Sequence, residues 1–174
     1  MSSVHPDHPD RPRSDRAQHP GQAGHAAFTL HPTLAADTVP VTRLELSRVL
    51  LRDDRTFPWV ILVPERARVR ELFELECEER GLLMEEIALV STVMRDLYQP
   101  HKINVAALGN QVEQLHVHVI ARFHHDPAWP RPIWGVAPAV PYGERERQTL
   151  VGALQDAIAR GRDAFERLRD NCPW

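Results

Sequence analysis

Gln114-Leu115-His116-Val117-His118-Val119-Ile120 alternates polar and apolar residues without interruption. Such alternation predicts a β-strand with one buried and one functional face. Leu115, Val117 and Val119 share the first face, and Gln114, His116 and His118 share the second. Two imidazoles one pleat apart stand about 7 Å from each other along the strand. Imidazole can serve as nucleophile, as acid or base near neutral pH, and as metal ligand. A surface His-x-His pair taken alone is more often incidental than functional, so its surroundings have to decide.

Outward from this strand, the flanking elements follow from periodicity and breakers. Residues 102–108 form a second predicted strand, joined to the first by Gly109-Asn110-Gln111-Val112-Glu113. Upstream, Leu82, Leu83, Ile87, Val90, Val93, Met94 and Leu97 recur at three- and four-residue steps, which predicts a helix over about residues 76–98 closed by Pro100. Before it, residues 47–52 and 59–63 read as strands joined by the Asp53-Asp54-Arg55 turn, a hairpin ending at Pro64. Phe28-Thr29-Leu30-His31-Pro32 is expected to be extended, and residues 37–41 to be a turn containing Pro40. Downstream, the Pro- and Trp-rich residues 126–135 exclude a regular helix or central strand, with Trp129 and Trp134 expected to pack. A last amphipathic helix is expected over about residues 144–168, with Gly161 a candidate break. The charges at its start, residues 144–147, are expected to form a solvated face.

Composition narrows the class of function. The chain has 174 residues and a formal net charge of −3, which suits one ordinary domain and argues against binding nucleic acid through counterion release. Cys77 and Cys172 are too few for a disulfide framework and point to a reducing cytoplasm. No apolar run approaches the roughly 20 residues of a membrane span, and the N-terminus, lacking an apolar segment, is not expected to be a secretory signal. Residues 1–27 mix His, Pro, Asp, Arg and Gln with almost no large apolar side chain, so they are expected to be a flexible tail. Residues 28–135 then form the main domain and 136–174 a helical extension. A metal site would need a third ligand beside His116 and His118; His101, His124 and His125 are nearby, but none has persuasive spacing. No metal and no cofactor are therefore expected.

The run from Asn110 to Arg122 resembles the signature of the histidine triad superfamily, three histidines separated by single apolar residues after a polar loop. The order of elements is similar as well, over roughly residues 28–120. The departure is the first triad position, which is Gln114 here. Asp-Pro-Ala-Trp-Pro at 126–130 and Ile-Trp-Gly at 133–135 resemble a bacterial subgroup carrying Gln at that position. The resemblance implies an α+β fold, with an antiparallel sheet of about five strands, a long helix across it and a C-terminal helix. It implies a homodimer acting on nucleotides of the dinucleoside polyphosphate or phosphoramidate type, as hydrolase or nucleotidyl transferase. His116 would be the nucleophile on the α-phosphorus, His118 a phosphate contact, and Gln114 a support for the nucleophile through its main-chain carbonyl. Asn104, Asn110 and Gln111 would contact substrate, and Asp53 would bind the ribose hydroxyls. Neutral imidazole is an apt nucleophile at pH 7, and amide and imidazole donors can stabilise charge on phosphate oxygens. The rival reading is a nucleotide-binding sensor with little turnover, motivated by Gln114.

Overall fold

The two aliphatic strands of the predicted hairpin pair as expected. Strand β2 (Ser47–Arg52) runs antiparallel to β3 (Trp59–Pro64), with Leu50 opposite Ile61. The computed structural model describes residues 27–169, the side chains of the last helix as far as residue 163. The tail expected over residues 1–27 lies outside the described residues except for Ala27. Five strands form one antiparallel sheet in the order β1-β2-β3-β5-β4, where β1 is Thr38–Arg43, β4 is Lys102–Ala106 and β5 is Val117–Arg122. Helices α1 (Pro32–Asp37), α2 (Cys77–Tyr98) and α3 (Glu144–Arg169) complete an α+β fold.

Two local expectations are corrected at the N-terminal end. Residues 37–41 are not a turn, since Asp37 ends α1 and residues 38–41 open β1, and Pro32 begins a short helix rather than ending an extended piece. Pro40 is tolerated because β1 is an edge strand, where a missing N–H need not break a ladder, and the pairing with β2 shifts register between Pro40 and Thr42. Pro32 suits the first turn of α1, where its fixed φ fits and no donor is needed.

The side-chain alternation of the strands divides the protein into two faces. Val117, Val119 and Ala121 of β5 join Val60, Leu62, Val49 and Leu51 against Leu83, Ile87, Val90 and Met94 of α2. Each such fully buried aliphatic side chain contributes on the order of 1.5–3 kcal/mol. Helix α2 starts where Glu76 and Glu79 make a reciprocal capping box, within one residue of the boundary read from the sequence. On the opposite face, Leu34 of α1 covers Leu50, Ile61 and Val63, with Val112 closing the edge. A smaller group, Phe57, Ile120, Ala128 and Ile133, seats the Pro- and Trp-rich loop on that same face.

Helix α3 is continuous through Gly161 rather than broken there. The glycine serves packing: a Cβ on it would lie 2.8 Å from Leu89 Cδ1 and 3.3 Å from Val93 Cγ2 of α2. Gly161→Leu is expected to push the helices apart and cost about 1–3 kcal/mol, read as a lower urea midpoint at unchanged m-value.

Candidate active site

The regular ladder of β5 begins only at Val117, and β4 ends at Ala106, so both strands are shorter than the alternation suggested. Residues 107–116 between them form an irregular loop. Gly109 adopts φ +73°, in the left-handed region that favours glycine, and this bends Asn110 and Gln111 back toward the histidines. His116 therefore enters the site from the end of a loop and His118 from the strand. Their rings lie closer than the pleat alone predicts, with centroids 4.8 Å apart and planes at 88°. Both are buried, at 7% and 5% exposure, in a structure where most polar residues are not.

The ring of His116 is oriented by its own chain. Its Nδ1 lies 2.6 Å from the main-chain carbonyl of Gln114. A carbonyl can only accept, so Nδ1 carries a proton, and in the neutral ring Nε2 then keeps its lone pair. That is the nucleophilic form of a neutral imidazole. The side chain of Gln114 does something else entirely. Its Oε1 accepts from the His31 amide at 2.9 Å and its Nε2 donates to the Thr29 carbonyl at 2.9 Å. His31 in turn caps α1, its Nδ1 accepting from Thr33 N at 3.2 Å. Gln114 thus joins the histidine loop to α1, and its side chain does not stand beside the imidazoles as strict strand alternation had suggested.

These elements enclose a cleft of about 340 Å³, a size suited to a small organic ligand. His116 and His118 lie on its wall together with Asn110 and Gln111, both exposed at the mouth. Ile61, Leu34, Trp59 and Trp134 supply apolar walls, and Asp37 and Arg52 add a polar pair to the lining. Arg52 Nη1 lies 2.6 Å from Asp37 Oδ2, and its guanidinium stands 5.6 Å from the Trp59 ring. The indole Nε1 of Trp59 is 3.0 Å from His118 Nδ1. Trp134 packs edge-on to His118, with centroids 5.5 Å apart.

Two residues singled out in the sequence are not brought to the cleft. Asp53 accepts a hydrogen bond from Tyr142 N at 2.9 Å and faces Arg147, while Asp54 accepts from Val140 N at 3.2 Å. The turn carboxylates therefore fasten the C-terminal segment to the hairpin. Pleat parity explains the difference: Arg52, one residue earlier, is on the histidine face. Arg147 also joins the structure through Asp53, so the start of α3 is not purely a solvated face. Asn104 lies on β4 opposite Ile120, on the histidine side of the sheet, but its Oδ1 is taken by Arg122 Nη1 at 2.8 Å. The residues that sequence reasoning missed are Arg52, Asp37, Trp59 and the buried Arg122. Arg52 could have been found by counting alternate residues back along β2. Asp37 could not, because its place depends on α1.

Burial, the adjacent His116 and the charge of Arg52 together hold the His118 pKa down at about 3. The unfolded imidazole titrates near 6.5, so between these values the unfolded state binds more protons. Stability is expected to fall as the pH drops from 6.5 toward 3, and to be indifferent to this group above 6.5. The full effect is at most about 5 kcal/mol. Urea midpoints measured across that range should fall less steeply in His118→Gln than in the wild type.

A family model described as HIT domain matches residues 34–125. Among solved structures, a histidine triad protein of Bradyrhizobium japonicum is 42% identical, with a TM-score of 0.75, over 76% of this chain and 99% of its own. A histidine triad protein of Marinobacter aquaeolei is 46% identical, with a TM-score of 0.74, over 78% and 98%. At the level of fold alone, the Plasmodium falciparum diadenosine triphosphate hydrolase superposes with a TM-score of 0.52 at 13% identity, over 80% and 88%. No curated protein matches the chain.

Proposed function

This chain belongs to the histidine triad (HIT) family, and from that premise we propose that it hydrolyses or transfers nucleotides through a covalent nucleotidyl-histidine on His116. The observation that carries the reading is the 2.6 Å contact from His116 Nδ1 to the Gln114 carbonyl, which in the neutral ring puts the lone pair on Nε2, with His116 on the wall of the cleft. In the first step Nε2 attacks the α-phosphorus, and the bond from phosphorus to the leaving group breaks. The leaving group departs with the electron pair and takes up a proton. In the second step water, or another acceptor hydroxyl, attacks the same phosphorus and gives up its proton. The P–N bond breaks with its pair returning to His116. His118, Asn110 and Gln111 supply donors for the non-bridging oxygens. A dinucleoside polyphosphate or a nucleoside phosphoramidate fits this chemistry, since either offers a good leaving group on an α-phosphate.

The test is to quench the protein during turnover of a radiolabelled nucleotide, in the presence of a chelator. An acid-labile, base-stable label on the chain, absent from His116→Ala, is the expected result. Tight binding with no label and no product would favour a nucleotide sensor. Among the described residues no three His, Cys, Asp or Glu side chains are grouped to hold a metal ion, so the chelator is expected to leave turnover intact. We place the activity in a homodimer, for which the open edge of β4, with Val105 and Leu108 exposed, is a suitable surface. The exposed free thiol of Cys77 fits a reducing cytoplasm, and none of the described helices is long and apolar enough to cross a membrane.

The Gln114 side chain touches Thr29 and His31, the segment that leads into α1, and not the reacting atoms. Gln114→Ala is therefore expected to cost about 1–2 kcal/mol of stability, for two hydrogen bonds. It should lower kcat/KM far less than loss of His116, because the orienting carbonyl remains. Thermal melts and steady-state kinetics on the same preparation check both halves.

A further inference from the structure

We infer that Trp59 is a positioning residue that fixes His118 in the tautomer with its proton on Nε2, so that His118 can only donate to the ligand beside His116. What that donor meets rests on the nucleotide reading above; the tautomer itself rests on geometry. The indole N–H is a donor and nothing else. It lies 3.0 Å from His118 Nδ1, with the two rings 5.2 Å apart and inclined at 65°. A proton on Nδ1 would set donor against donor at that distance, at a ring that is 5% exposed. The doubly protonated ring fails on the same count, and the Arg52 guanidinium over Trp59 and the imidazole of His116 both add to its cost. The depressed titration of His118 agrees. Trp59 is itself held by an edge contact with Trp134, centroids 6.2 Å apart.

The consequence is a division of labour between two chemically identical side chains. His116 has its proton on Nδ1, against a carbonyl that can only accept. His118 has its proton on Nε2, against an indole that can only donate. One imidazole therefore offers a lone pair and its neighbour a hydrogen-bond donor, with no titration needed to tell them apart. Nothing in the His-x-His pattern distinguishes the two roles in this way; the partner groups do.

The experiment is nitrogen-15 NMR of the two imidazoles in the full-length wild type at neutral pH. The expected spectrum has His118 with a pyridine-like Nδ1 and a pyrrole-like Nε2, and a coupling through the hydrogen bond between Trp59 Nε1 and His118 Nδ1. Trp59→Phe keeps a ring against Trp134 and Arg52 but removes the N–H. In that variant the coupling should vanish and an Nδ1-protonated form should appear. For nucleotide turnover, kcat should fall about tenfold while KM changes little, as for a weakened transition-state donor. A wild-type His118 protonated on Nδ1, or an imidazole spectrum unchanged in Trp59→Phe, overturns the assignment. A shifted tautomer with unchanged turnover overturns the donor role. A wild type that turns over no nucleotide but shows the expected spectrum upholds the tautomer and removes the nucleotide reading instead.

Discussion

Replacing His116 by alanine is expected to reduce nucleotide turnover by roughly four orders of magnitude or more, the loss typical of removing a covalent nucleophile. Among the described residues no ready substitute lies beside it. His118, the nearest imidazole, has its Nδ1 engaged by Trp59 and sits lower on the strand. The variant should still fold. The imidazole is buried, but it lines a cleft rather than the packed face, and its loss removes one hydrogen bond, to the Gln114 carbonyl. A stability cost of about 1–2 kcal/mol is expected. Nucleotide binding measured by calorimetry should survive within about tenfold, since the walls and the remaining donors are untouched. Turnover at the wild-type rate in pure His116→Ala would remove this residue from the reaction.

The largest expected effect on stability lies at Arg122, a site with no part in the chemistry. Its side chain is 2% exposed and that of Asp126 is 5% exposed. Arg122 Nε and Nη2 donate to the two carboxylate oxygens of Asp126 at 2.8 and 3.1 Å. Nη2 also donates to the Arg131 carbonyl at 2.9 Å, and Nη1 to Asn104. Burial alone would raise the Asp126 carboxyl. Arg122 and the amides of Phe123 and Ala128 outweigh that burial and keep it below the usual carboxylate range. Arg122→Met should cost about 3–5 kcal/mol, because the remaining carboxylate is left buried without its cation. Arg122→Met combined with Asp126→Leu should recover part of that loss, since no unpaired charge remains. Urea unfolding of the two variants, compared as a cycle with Asp126→Leu, reads the coupling. The pair also anchors the loop that carries Trp134 to the cleft, so Arg122→Met should raise KM even where enough folded protein remains.

Period, breakers and caps made much of this fold legible in the chain. Helix α2 was readable because its apolar positions recur at helical spacing and Pro100 closes its end. The β2–β3 hairpin was readable because two aliphatic runs flank an Asp-Asp turn. The sheet edge at β1 was not, since Pro40 signals a turn to any local reading and only an edge position makes it harmless. Gly161 looks like a helix break locally, and becomes a packing requirement only when α2 lies against it. At the site, the paired imidazoles beside a polar loop were legible from the alternating His-x-His pattern, while the proposed role of His116 as nucleophile came from the family resemblance. The orientation of its ring was not legible, because it depends on a carbonyl reached by a bend at Gln114 that ends the alternation.

By itself, then, the sequence determined that His116 and His118 point away from the side taken by Val117 and Val119, because side-chain alternation is a local property of the chain. It also marked out the individual strands and helices, through spacings of two and of three to four residues, while their assembly into an α+β fold was implied by the family resemblance. The tertiary structure alone decided what each polar group meets. Asp53 and Asp54 became fasteners for the C-terminal segment, and Asn104 was drawn into the Arg122 network. Gln114 became a link to α1, and Trp59 the partner of His118. Hydrogen bonds between residues up to 89 positions apart made those choices. Such bonds form only after the sheet has brought distant strands into register, and no local pattern in the chain encodes them.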